Sequence, residues 1–280
     1  IEARGYSSRG FAKKQYAVEL QETYAFPQCD DDAANFNLFC NGFTPEESVD
    51  YGDECVFNME NDFVLLGPFR DRTYMRNSIT YELWDRMGNI GSNSKYFEFI
   101  LNGNYMGLYL MFERPKIDEK RVPISTDITD AFDGGWMIKV ESGGEQDFRV
   151  GYDSYTKYEF YDPDEGDGLT NELKNEIMNQ IITFEETVDI GTESDIRNLM
   201  DVKTFSEYWL TQEFARNNEG FTRSQYWHTF GNASTYGPFD SGGLPIYDND
   251  KLYISHVWDM NHSFAATIPA YDGWATQNFF

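Results

Sequence analysis

The sequence predicts an α+β fold in two lobes, and three observations predict it. Apolar alternation and turn signals dominate the first half of the chain. Helical stripes gather in the second half, with one earlier helix between Asp71 and Met87. A last apolar run, Leu252 to Trp258, reads as a strand that returns after the helices. Strands and helices that segregate in this way favour α+β over the βαβ alternation of a parallel sheet. Two such halves would leave a cleft between them, with a boundary near residues 114–145.

The elements follow in order. Ile1-Glu2-Ala3-Arg4-Gly5 reads as the middle of a strand, as in a piece of a longer protein. Residues 11–26 alternate loosely and end near Pro27. Residues 28–60 are rich in Asp, Asn and Gly and carry Cys29, Cys40 and Cys55, the features of a long inserted loop. From Asp71 onward, Met75, Ile79, Leu83 and Met87 recur at helical spacing, with Asp71 placed as a cap. Tyr96 to Phe112 holds two apolar runs joined by Asn102-Gly103-Asn104, a hairpin signal because Asn-Gly accepts positive φ. Glycine pairs bracket Trp136–Val140, a further strand. Leu173, Ile177, Ile181, Phe184 and Val188 trace a helix stripe. Thr204 and Glu207 have capping-box spacing ahead of Trp209, Leu210 and Phe214.

Composition narrows function. With 48 acidic and 22 basic side chains, the 280-residue chain carries a formal charge of −26. No basic face is visible for nucleic acid or for anionic membranes. No apolar run is long enough to span a bilayer. The cysteine spacing fits no zinc motif, and one local disulfide would favour an extracellular or cell-surface setting. None of His228, His256 and His262 lies beside a nucleophile elbow, which sets Ser/His/Asp and Cys/His hydrolysis aside. Glycoside hydrolysis needs only two carboxylates, so composition leaves it open.

Phosphoryl transfer needs amides and cations around phosphates, acidic metal ligands and a carboxylate for the acceptor hydroxyl. The stretch Arg4-Gly5-Tyr6-Ser7-Ser8-Arg9-Gly10-Phe11-Ala12-Lys13-Lys14 can turn N–H groups and cations towards an anion. It can equally be a surface turn. Glu213 to Gly220 places polar residues after an apolar helix. Trp258-Asp259-Met260-Asn261 follows an apolar strand, and Asp and Asn two apart on an extended segment point the same way. They can share a hard cation or form a turn.

In this order the blocks resemble the CotH kinase family, the spore-coat-protein-H-like atypical protein kinases. The resemblance rests on Arg4-Gly5 through Phe11-Ala12-Lys13-Lys14-Gln15-Tyr16; on Leu66-Gly67-Pro68-Phe69 with Asp71 and Met75-Arg76-Asn77; and on Phe99 to Tyr109 with Glu113 following. Tyr158 to Pro163 and the blocks ending in Glu219 and in Asp259-Met260-Asn261 complete it. The resemblance implies a divergent two-lobed protein-kinase-like fold. Its N-lobe, residues 1–140, is strand-rich and carries the 28–60 insertion; its C-lobe, residues 141–280, is helical. It implies ATP with Mg²⁺, Mn²⁺ as a substitute, and a protein Ser/Thr acceptor. Lys14, with Lys13 as its substitute, would face the phosphates, with Arg4, Ser8 and Glu113 on the nucleotide side. Asp259, Asn261 and Ser224 would hold metal, and Glu219 would take the place of the catalytic-loop aspartate.

Two residues depart from the family pattern, which has Asp at Glu219 and Gly at Ala265. The extra methylene at Glu219 displaces the carboxylate, and such misplacement costs on the order of 10²-fold in rate. An active kinase, a nucleotide-binding pseudokinase and a non-catalytic secreted or surface module are the alternatives.

Overall fold

The computed structural model describes residues 1–5, 8–19, 61–118, 121–124, 135–141, 148–150, 156–164, 168–231 and 251–264. Within them lie two antiparallel sheets and four α-helices, a mixed α+β architecture. The cysteine-bearing insertion and Ala265 fall outside the described residues. The chain divides into two compact units, Ile1–Ser78 with Ser92–Arg114, and Ile79–Gly91 with Pro115–Phe280.

The first unit is a five-stranded sheet of β1 (Glu2–Arg4), β2 (Gln15–Glu19), β3 (Asp62–Leu66), β4 (Ser94–Leu101) and β5 (Asn104–Glu113). Their order across the sheet is β1-β2-β3-β5-β4. Strand alternation puts Phe63, Leu65, Tyr109 and Met111 on one buried face, where Tyr16, Val18, Phe97, Phe99 and Met106 pack against them. The expected hairpin is present, and Asn102 and Gly103 both have positive φ, 51° and 78°. The pairing shifts between Phe99 and Ile100, which face Gly107 and Tyr105, so Met106 is an extra residue in β5.

Helix α1 spans Arg76–Arg86. Asp71 does cap it, though from five residues back: its carboxylate accepts from the N–H groups of Thr73 and Arg76 at 2.9 and 3.0 Å. The buried face differs from the apolar stripe. Met75 and Ile79 are 51% and 44% exposed, while Asn77, Thr80, Tyr81 and Trp84 are buried. Trp84 decides this. Its Nε1–H donates to the carbonyls of Ile90 (2.7 Å) and Ser255 (3.0 Å), so the largest side chain enters the core without an orphaned donor.

The second unit holds β6 (Trp136–Val140), β7 (Tyr158–Asp162), β8 (Gln225–Thr229) and β9 (Tyr253–His256) in the order β7-β6-β8-β9. Helix α2 (Asn171–Ile190) buries Leu173, Ile177, Ile181 and Phe184 as its stripe predicts, but leaves Val188 exposed. Phe184 and Phe205 each meet Trp227 edge-on with ring centroids 5.5 Å apart, and they lie tilted against one another at 5.9 Å. Helix α3 (Glu193–Leu199) carries a reciprocal capping box of Thr192 and Asp195, a different pair from the Thr204 and Glu207 whose spacing signals one.

Helix α4 (Val202–Ala215) starts two residues before Thr204, and its cap is Asp201, whose carboxylate accepts from the Thr204 N–H at 2.7 Å. Its buried face is Tyr208, Thr211, Gln212 and Ala215, whereas Trp209, Leu210 and Phe214 are 44–64% exposed. Thr211 can bury because its hydroxyl donates to the Glu207 carbonyl. Asp201→Ala is expected to lower stability by about 1 kcal/mol in a urea titration, and Asp201→Asn to retain most of it.

Candidate active site

In the first unit, the blocks singled out in the sequence meet at Lys13. Its ammonium donates to the Leu108 carbonyl at 2.6 Å and to the Tyr74 hydroxyl at 3.2 Å. It also lies 4.9 and 4.7 Å from the ring centroids of Tyr74 and Tyr109. Two glycines make room for it. A Cβ on Gly67 would lie 2.9 Å from both Lys13 Cγ and the Tyr109 ring, and one on Gly107 would lie 3.4 Å from Lys13 Nζ. Tyr109 is fully buried, and burial first, then Tyr16 and Tyr74, pushes its hydroxyl up to about 12. It therefore stays neutral and offers a π face. No carboxylate pairs with Lys13 among the described residues.

Lys14, ranked ahead of Lys13 in the sequence reading, turns the other way and donates to the Arg9 carbonyl. Arg4 ends β1, and its carbonyl accepts from the hydroxyl of the buried Ser8 at 3.4 Å. Glu113, at the end of β5, is 2% exposed, and its carboxylate accepts from the backbone and side-chain N–H groups of Asn93 at 3.2 and 2.9 Å.

In the second unit, Glu219 and the Asp259–Asn261 segment come together. Glu219 lies on a 3-10 turn, Asn218–Phe221, just after α4. Asp259 is not on an extended segment: it has φ 52° and ψ 57° and leads into a second 3-10 turn, Met260–His262. The two side chains still converge, because the turn brings the Asn261 Nδ2–H to Asp259 Oδ1 at 2.5 Å. Glu219 Oε1 lies 3.8 Å from both His262 Nδ1 and Arg223 Nη2.

Asn217 ties these turns to α4. Fully buried, it donates from Nδ2 to Gln212 Oε1 at 2.9 Å and to Met260 Sδ at 3.3 Å. The Phe264 N–H also donates to the Ala215 carbonyl, and the Tyr208 hydroxyl to the Gly220 carbonyl. Ser224, 5% exposed with φ 58°, stands between the Glu219 turn and β8.

Left-handed backbone marks this region. Among the described residues other than glycine, Arg216, Ser224, Asp259 and Phe264 all have φ of 51–58°. Such positions are costly and gather where the surroundings fix a functional geometry. Asn217 and His262 carry no signal in the sequence that marks them for this site. Both lie within or beside quoted blocks, but only tertiary contacts reveal them.

Asp259 and Asn261 offer hard oxygen donors, few in number. Among the described residues there is no cluster of three or more His, Cys, Asp or Glu side chains arranged for a metal. Oxygen donors of this kind suit a hard divalent cation that completes its shell with water and phosphate oxygens. No helix among the described residues is long and apolar enough to cross a membrane.

No curated protein matches the chain. The family model described as CotH kinase protein matches residues 1–279, essentially its whole length. The chain therefore belongs to the CotH kinase family.

Proposed function

We propose that the chain is an ATP-dependent protein kinase of this family that phosphorylates Ser or Thr hydroxyls with Mg²⁺, or Mn²⁺ in its place. In this reading its two units correspond to the N-lobe and C-lobe of a divergent kinase-like fold. The observation that carries it is the assembly of Glu219, Asp259 and Asn261 on two adjacent, tightly tethered turns.

Lys13 neutralises the phosphates, with Lys14, Arg4 and Ser8 on the same loop and Glu113 bracing the hairpin end. Asp259 and Asn261, with Ser224, would hold the cation through their side-chain oxygens. The bound cation supplies charge neutralisation at the phosphates. Glu219 orients the acceptor hydroxyl and takes its proton as the new oxygen–phosphorus bond forms and the β–γ bridge breaks. A secreted or surface setting is proposed on the cysteine spacing alone.

The second reading, a nucleotide-binding pseudokinase, rests on Glu219 itself. Its carboxylate is longer than aspartate and is flanked by Arg223 and His262.

The test has two readouts. ATP with Mg²⁺ is expected to raise the melting temperature, since a ligand bound only by the folded state stabilises it. Terminally labelled ATP is expected to label a serine-rich acceptor protein, and Glu219→Gln to slow labelling about a hundredfold while leaving the ATP·Mg²⁺ shift intact. A shift without labelling selects the pseudokinase. Absence of any shift overturns both readings.

A further inference from the structure

Tyr74 has φ 63°, a left-handed conformation that is unusual for a large side chain. Glycine or asparagine would adopt it more easily, yet the loop is built to hold a tyrosine there. Asp71 anchors one side through the Thr73 N–H and hydroxyl, the Arg76 N–H and an Arg76 ion pair at 3.3 Å. On the other side the Tyr96 hydroxyl donates to the Tyr74 carbonyl and meets Ser78 Oγ at 2.6 Å. Strain held from both flanks gathers where a side chain has a task. That side chain reaches Lys13, the cation without a carboxylate partner among the described residues.

We infer that Tyr74 is a positioning residue that, with Tyr109 and the Leu108 carbonyl, holds the Lys13 ammonium in a fixed place for an anionic ligand. The role of Lys13 towards phosphate rests on the function proposed above; the tyrosine cage does not. An ammonium has three donors, and the Leu108 carbonyl and Tyr74 hydroxyl use two, which leaves one for a ligand. Neutral π faces attract the charge without cancelling it, as a carboxylate would. A flexible lysine stem held in this way loses less freedom when a phosphate arrives.

The experiment separates the cage from the ligand. The full chain and its Tyr74→Ala, Tyr74→Gly and Tyr74→Phe variants are treated with an amine-acylating ester, and labelling of Lys13 and Lys14 is followed by peptide mass spectrometry. The inference expects Lys13 labelling to accelerate several-fold in Tyr74→Ala and Tyr74→Gly while Lys14 changes little, with Tyr74→Phe between them. An unchanged Lys13 rate overturns it.

Tyr74→Gly adds a readout that a structural role would not give. It relieves the backbone strain, so it should melt no lower than Tyr74→Ala. It should nonetheless raise the KM for ATP by about five- to thirtyfold, with kcat nearly unchanged. Wild-type affinity in Tyr74→Gly would show that the ring positions nothing. If ATP·Mg²⁺ fails to protect wild-type Lys13 from acylation, the nucleotide reading fails, and the variant labelling rates still decide the cage.

Discussion

Asp259→Asn is expected to reduce phosphoryl transfer on the order of 10³-fold while leaving the melting temperature of the ligand-free protein almost unchanged. Asparagine is the informative replacement here. Asp259 has φ 52°, and asparagine tolerates that region far better than alanine, whose Cβ strain would itself cost roughly 1–2 kcal/mol. An amide oxygen can also still accept from the Asn261 side chain, so the turn keeps its internal bond. What disappears is one negative charge, the feature a divalent cation requires. Two measurements check this: labelled transfer to a protein acceptor, and the ATP-induced rise in melting temperature with and without Mg²⁺. The Mg²⁺-dependent part of the rise should vanish. If it persists in Asp259→Asn, the cation is held elsewhere and the assignment of Asp259 is wrong. Glu219→Gln acts on proton transfer instead, so it should preserve the Mg²⁺-dependent rise that Asp259→Asn removes.

Local signals in the sequence translated directly where a turn or a single long stripe decided the outcome. Asn102-Gly103 closes its hairpin, Trp136–Val140 is a strand, and α2 buries four of its five stripe residues. The failures share a cause. On α1 and α4 the apolar residues that repeat most visibly, Ile79, Leu210 and Phe214, are exposed, and polar Asn77, Thr80, Thr211 and Gln212 are buried. Hydrophobic periodicity assumes that burial follows side-chain polarity, but a hydrogen-bonded Thr or Gln beside Trp84 or Tyr208 can replace an aliphatic face. Strand β8 has no legible period in the sequence because all five of its residues are buried, so a central strand shows no alternation.

For the site, the sequence supplied the blocks but could not rank neighbours within them. Lys13 and Lys14 are adjacent, and only the placement of Gly67, Gly107, Tyr74 and Tyr109 distinguishes the ammonium held between tyrosine rings from the one that turns away to the Arg9 carbonyl. Likewise the expected strand alternation of Asp259 and Asn261 is replaced by a turn. The chain obtained the same convergence by a backbone conformation that no spacing rule reports.

Acidification from pH 7 to pH 5 is expected to destabilise the protein steeply, through His228 and His256. Both rings are 2% exposed on the adjacent strands β8 and β9. Burial holds each pKa down to about 3, and the neighbouring His256 lowers His228 further. His228 Nδ1 meets Ser255 Oγ at 2.6 Å, but His228 Nε2 and His256 Nδ1 have no hydrogen-bond partner among the described residues. The rings around them are Tyr226, Tyr253 and Phe230, which give no charge to compensate a second proton. In the unfolded chain both imidazoles titrate near 6.5. Between about pH 6.5 and pH 3 the unfolded state therefore binds more protons, so stability rises with pH: it is complete above the unfolded pKa and is lost as pH falls below it. The pair should contribute a slope of roughly 2–3 kcal/mol per pH unit, large against a typical total of about 5–15 kcal/mol. Urea midpoints measured from pH 7.5 to pH 5 check this, and a flat profile would show that the histidines titrate as freely in the folded protein as in the unfolded chain. Ser224 immediately precedes β8 and β9 leads on to Asp259, so acid loss of this strand pair would remove both ends of the proposed metal site together. If the proposed function holds, ATP·Mg²⁺ should then move the acid midpoint to lower pH, since a ligand of the folded state alone stabilises it.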